Sequence, residues 1–416
     1  MFLLWLACEE APPETSIPTW LAPEVVDAVS MERVKAHVDV LADDSLGGRI
    51  PGSYGHSLAQ DYLLGELQEI GLEPLGSDGY RQDYVSEPVD GRFQLLEDGT
   101  VADAEDDHGT NLVALLPGSD PELADQHIVV MAHYDHLGVN RDGEVYNGAF
   151  DDATSVAVLL ELARVLVEEE VELGRSIVFL LTDDEESGLE GAEWFLADEL
   201  VPHSEISFAI ALDPIGRGVL PDYWPLALMG LERSPDLLAS WKEVCRYAET
   251  TVSFVHRDTI PLFASDQDEF YRLDDPIPAV WFTSPGMAFY HTVDDTPETI
   301  DYRSVRPQAR FLLQALAWFA QKGDDYAYEG PPELAPEHAA DARALVAGYL
   351  GSEHLSDSER AEVESILHDL DAIIEADNLD VVDNPEGLFV YAMYYLVFEL
   401  PGEHIGEIPP PFPEDG

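Results

Sequence analysis

The stretch Ile128-Val-Val-Met-Ala-His-Tyr-Asp-His136 decides the fold. Its five apolar residues follow one another without polar interruption. Such a run reads as a short strand covered on both faces, as in a parallel sheet. A cluster of histidine and carboxylate stands directly at its carboxyl end. Three other runs have the same character: Ser176–Thr182 (SIVFLLT), Ile206–Leu212 (ISFAIAL) and Ala279–Thr283 (AVWFT). Helical patterns separate several of them. The clearest covers 153–167, where Ala153, Val156, Ala157, Leu160, Ala163 and Val167 form one stripe. Strand-helix alternation of this kind predicts an open α/β sheet.

Outward from this centre, apolar residues recur at helical spacing over 28–42 and 57–70, with the turn-rich Gly47-Gly-Arg-Ile-Pro-Gly52 between them. Residues 9–27 hold several prolines and read as a linker. Near Tyr326 the composition changes. Pro331, Pro332 and Pro336 interrupt, two or three helices are expected up to Leu400, and 409–416 form a Pro-rich tail. The apolar run 388–400 contains Glu399 and is too short for a bilayer span, so it reads as a buried helix.

Composition limits what the chain can meet. Its 416 residues suggest two or three domains, and 46% hydrophobic with 10% aromatic residues is ample for a large core. Disorder is therefore not expected. With Lys+Arg 20 against Asp+Glu 84, the net charge is −64, which excludes nucleic acid and anionic lipid and favours cations. The lysines are only Lys35, Lys242 and Lys322, a skew that fits a salt-adapted or extracytoplasmic protein. Two cysteines, Cys8 and Cys245, permit neither a disulfide framework nor a thiolate zinc cluster. The start, Met1-Phe-Leu-Leu-Trp-Leu-Ala-Cys8, resembles the end of a truncated bacterial lipoprotein signal without its basic region. That reading implies a periplasmic, lipid-anchored or secreted protein, with Cys8 as its one link to a membrane.

In an open α/β sheet, functional side chains gather beyond the carboxyl ends of the strands. The four runs lead into His133-Tyr-Asp135-His136, Asp183-Asp-Glu185-Glu186, Asp213, and Tyr290-His291-Thr-Val-Asp-Asp295. Asn147-Gly-Ala-Phe-Asp151-Asp152 precedes the 153–167 helix. No one block is informative alone. At this acid content about 17 adjacent acidic pairs arise by chance, so Glu185-Glu186 by itself is an ordinary solvated charge run. Asp151-Asp152 could be a plain helix N-terminus, and His133 or His291 a structural histidine. Their common placement at strand ends, in this order and without thiolates, suits zinc in an open catalytic site.

The ordered blocks resemble metallopeptidase family 28, the co-catalytic zinc aminopeptidases that also include glutamate carboxypeptidase, from about Ala28 to Gly323 and including the Gly48-Arg49 loop. The resemblance implies a three-layer α/β/α fold with a mixed, mostly parallel sheet, a zinc peptidase domain over 28–325 and a helical extension over 326–416. It implies two zinc ions: His133 and Asp213 hold one, Glu186 and His291 the other, and Asp151 bridges them around a shared water or hydroxide. Glu185 is the implied general base, Tyr290 a donor to the developing oxyanion, and Asp135 and Asp295 the carboxylates orienting His133 and His291. The implied activity is hydrolysis of the N-terminal peptide bond of a peptide with a free amine. Two other readings share the fold: a single-zinc glutaminyl cyclase and a non-catalytic binding module. Two positions depart from the family pattern, Gln267 where a histidine is frequent and Phe150 where an acid is. Neither belongs to the implied ligand set.

Overall fold

The computed structural model describes residues 21–400 except 87–90, 97, 105–107, 219, 260–263 and 397–399. The signal-like residues 1–8 with Cys8, the first part of the proposed linker, the Pro-rich tail and part of the 388–400 run lie outside the described residues.

Eleven strands are described. In chain order they are β1 (Glu73–Pro74), β2 (Arg81–Val85), β3 (Phe93–Leu95), β4 (Val101–Asp103), β5 (His108–Leu116) and β6 (His127–His133). β7 (Ser176–Thr182), β8 (Ile206–Leu212), β9 (Leu226–Met229), β10 (Val252–Val255) and β11 (Ala279–Thr283) follow. β3 and β4 form a separate ribbon. The other nine make one sheet in the order β1-β5-β7-β6-β8-β11-β9-β10, with β2 also on β5. The fold is α/β with a mixed sheet. β7, β6, β8 and β11 run parallel at its centre, and antiparallel pairing begins on either side, at β5 and β9. The four apolar runs of the sequence are these four parallel strands. β5, β9 and β10 lie outside the four runs read above: β5 carries an apolar run, Leu112–Leu116, behind a polar first half, and the last two strands are only four residues long.

Helices cover both faces because each buried strand alternates its side chains. Ile128, Val130 and Ala132 of β6 face one way, into a core shared with α1 (Pro23–Asp27), α2 (Met31–Leu41), α3 (Tyr54–Ile70), α4 (Thr154–Glu168), α6 (Pro235–Val244) and α8 (Tyr302–Ala320). α1 corrects the reading of 9–27 as a linker at its end, because Val25 and Val26 are buried in that core. Val129 and Met131 face the other way, toward α5 (Glu190–Ala197) and α7 (Gln267–Arg272). α3 begins three residues before the apolar pattern suggests, because Ser53 caps it by accepting from the His56 amide at 3.1 Å.

The described residues after 326 form three α-helices: α9 (Pro336–Tyr349), α10 (Asp357–Ala376) and α11 (Pro385–Tyr394). Their apolar side chains make a cluster with Ala227, Met229, Val255 and Trp281, which lie on the second face of β9, β10 and β11. α9 packs directly against β10, and Tyr223 donates from its hydroxyl to the Leu345 carbonyl. Among the described residues, no helix is long and apolar enough to cross a membrane.

Candidate metal centre

The residues at the carboxyl ends of the four parallel strands meet. His133 closes β6, Asp183 to Glu186 follow β7, Asp213 follows β8, and the segment after β11 brings Tyr290 and His291. Asp151 and Asp152 enter from the irregular turn before α4 and are joined by a cis peptide bond.

The Asp151 carboxylate lies in the middle. Its Oδ1 is 3.1 Å from His133 Nε2, and its Oδ2 is 3.2 Å from His291 Nε2. On the first side, His133 Nε2 is 3.7 Å from Asp213 Oδ1. On the other, His291 Nε2 is 3.1 Å from Glu186 Oε2. Zinc bonds of about 2.0–2.1 Å in a tetrahedron place donors roughly 3.3–3.4 Å apart. The observed spacings, 3.1 and 3.7 Å on one side of Asp151 and 3.2 and 3.1 Å on the other, lie close to that value. Several of the inward oxygens, Asp151 Oδ2 and Glu186 Oε1 among them, are buried without a hydrogen-bond partner. Buried carboxylate oxygens left unpaired are costly unless a cation takes them. The nitrogen and oxygen donor set, with no thiolate, fits zinc.

Neighbouring groups fix this arrangement. Asp135 is fully buried, with Oδ1 3.4 Å from His133 Nδ1, and it accepts from the backbone amides of Glu185 and Glu186 at 3.2 and 3.3 Å. One carboxylate thus holds both a histidine and the loop carrying the acidic pair. Asp295 behaves differently from the expectation that it would orient His291. Its carboxylate accepts from the Phe150 and Asp151 amides at 2.8 and 3.1 Å, so it holds the loop that presents Asp151. The Tyr290 ring stacks on His291 with centroids 3.8 Å apart. Burial first, then the carboxylates of Asp151, Glu186, Asp213 and Glu185, keep its phenol protonated far above the usual range. The Glu185 carboxyl is also pushed well up, by burial and by Asp213, Glu186 and Asp266, with His133 opposing.

Three features were not assigned from sequence. Arg49 is 1% exposed, and its guanidinium donates to the carbonyls of Leu41, Tyr134, Asn147 and Gly148 at 2.6–3.0 Å. It ties the loop before Asp151 to the end of β6. Asp152 joins His133 and Asp213 as a buried group of metal-ligating type. It accepts from the His133 amide at 3.3 Å, and its Oδ1 has no hydrogen-bond partner. His136 lies on the opposite side, grouped with Asp151 and Glu186. A signal for His136 was present in its position three residues after His133. Arg49 gave none, since its partners at Tyr134 to Gly148 lie 85 to 99 residues away.

Of the two departures, Phe150 is fully buried as part of the core. Gln267 opens α7, buried, and donates to Asp268 at 3.0 Å. Next to it, Asp266 accepts from the Thr182 hydroxyl, and burial raises its carboxyl to about 7.

Comparison with known proteins agrees with this geometry. Residues 111–316 match the model of peptidase family M28. The Schizosaccharomyces pombe protein named endoplasmic reticulum metallopeptidase 1 is 28% identical over 177 residues, which are 38% of this chain and 19% of that one. The chain therefore spans about a fifth of that relative's length. A Drosophila melanogaster glutaminyl-peptide cyclotransferase is 25% identical over 307 residues, 64% of this chain and 76% of its own. Among solved structures, the Legionella pneumophila LapA aminopeptidase superposes with a TM-score of 0.56 at 15% identity, covering 75% of this chain and 79% of its own. The strand order, the residues gathered at the strand ends and the match across 111–316 lead to one conclusion: residues 111–316 form a peptidase family M28 domain.

Proposed function

We propose that this hydrolase is a dizinc aminopeptidase acting on peptides with a free N-terminus. The observation carrying this reading is the Asp151 carboxylate, whose two oxygens each face a different histidine-carboxylate pair. His133 and Asp213 would hold one ion, Glu186 and His291 the other, with Asp151 shared between them. Zinc bound there would supply Lewis-acid polarisation of the scissile carbonyl and acidify a water.

The chain's own groups do the rest. Glu185 stands beside His133 and Asp213, and its raised proton affinity suits a base that takes the proton of the attacking water and returns it to the leaving amine. The neutral Tyr290 phenol is a donor for charge developing on the carbonyl oxygen. Asp135 keeps Glu185 and Glu186 in register with His133, so the base and the ligand beside it point to different tasks. The strongly acidic surface attracts the protonated α-amine of a substrate.

A second reading, cyclisation of N-terminal glutamine with a single zinc, is favoured by the Drosophila cyclotransferase that aligns with 64% of the chain. The two separate in one assay. Purified protein is incubated with aminoacyl amides and with a glutamine-initiated peptide, with and without chelator, while metal is counted by elemental analysis. Free amino acid, lost on chelation, with about two zinc ions per chain is expected. Pyroglutamyl product alone with one ion would overturn the aminopeptidase reading.

A further inference from the structure

We propose that His136 is a fourth protein ligand of the ion held by Asp151, Glu186 and His291. The inference rests on the two-ion reading above.

His136 is fully buried, and its backbone amide is fixed by the Arg49 carbonyl at 3.2 Å. Its ring lies on Gly148. A Cβ there would come within 2.6 Å of the imidazole carbons Cγ and Cδ2, so the glycine makes room for the ring next to the Asp151 loop. Nδ1 is thereby brought 2.9 Å from Glu186 Oε1 and 3.9 Å from Asp151 Oδ2. None of these three atoms has a hydrogen-bond partner, and all are buried. Proximity without hydrogen-bond alignment is what donors show when they aim at a common point instead of at each other. An uncompensated buried imidazole nitrogen facing two carboxylate oxygens is expensive, and a cation between them removes that cost. The His136 and His291 rings meet edge to face with centroids 5.9 Å apart, which places two imidazoles about the same position.

Four protein donors complete a tetrahedral zinc shell, so His136 would fill the shell that Asp151, Glu186 and His291 begin.

The test compares wild type with His136→Ala, His136→Asn and His136→Cys by dialysis against chelator-buffered zinc, with metal counted per chain. Melting of apo and loaded protein is measured alongside. Wild type should hold two ions. The Ala and Asn variants should bind the second at least ten- to a hundredfold more weakly, in the range of lost metal-site contacts, and the thiolate of the Cys variant should restore it. Asn can hydrogen-bond Glu186 but ligates poorly, so a wild-type affinity in His136→Asn, or in His136→Ala, would overturn the assignment. Should the variants not fold, wild-type protein loaded with cadmium-113 and labelled at histidine with nitrogen-15 decides the matter. Coupling from three histidines supports the proposal and coupling from two overturns it. One ion per wild-type chain would end the two-ion reading separately. Coupling of that ion to His136 would still uphold the ligand assignment, and its absence would refute it.

Discussion

The edge of the sheet beyond β6, β7, β8 and β11 and the layer formed by α9, α10 and α11 are built on opposite rules. In the helical layer the residues do what local physics asks of them. Ser356 accepts from the Glu359 amide while Glu359 accepts from the Ser356 amide, a complete capping box on α10. Leu345, Val346, Val363, Leu370 and Ile373 are buried against apolar neighbours. Among the described residues of that layer, the one non-glycine with positive φ is Asp377, the C-cap of α10, where such a conformation is ordinary. At the sheet edge the rules are broken together. Arg49, Asp184, Leu189 and His291 hold positive φ, and Asp135, Asp151, Asp152 and Asp213 are buried carboxylates. Such exceptions concentrate where function constrains the chain. The contrast teaches where to cut: changes at the edge should remove chemistry, and changes in the layer should remove only stability.

Asp151→Ala should give the largest effect, removing both ions and with them more activity than any single base can supply. Elemental analysis checks it, and two zinc ions retained would erase the central place given to that carboxylate. Glu185→Gln comes next. Both ions should stay while kcat falls about 10²–10⁴-fold, the range for a lost general base; turnover close to wild type would move the base elsewhere. In the other region, Leu345→Ala should lower unfolding free energy by about 2–5 kcal/mol and leave kcat/KM of the folded fraction unchanged. A matching loss of catalysis would mean that the layer shapes the cleft. The smallest effect is expected from Ser356→Ala, about 1 kcal/mol for a lost N-cap, read by chemical denaturation with metal content constant.

The sequence made the centre of this molecule legible and left its margins obscure. The four parallel strands were visible because burial on both faces forces unbroken apolar runs. β9 and β10, four residues each, contain too little pattern to distinguish from neighbouring loops. At the site, His133, Asp151, Glu186, Asp213 and His291 could be picked out because each follows a strand end or begins a helix. Arg49 could not be given its task, since a side chain that serves backbone carbonyls leaves no spacing to read. The partner of Asp295 was equally hidden: either the His291 ring or the Asp151 loop would satisfy a buried carboxylate, and only the folded chain decides between them.

The Arg49 clamp has a thermodynamic consequence. Burial lowers the proton affinity of this guanidinium while the nearby acids Asp135, Asp295, Asp151 and Asp152 raise it, yet one fixed cation cannot balance so many acids enclosed with it. Divalent ions would complete the balance, so their supply becomes part of the folding equilibrium. Protein stripped of divalent metal should then unfold, and be cut by proteases, more readily than the loaded form.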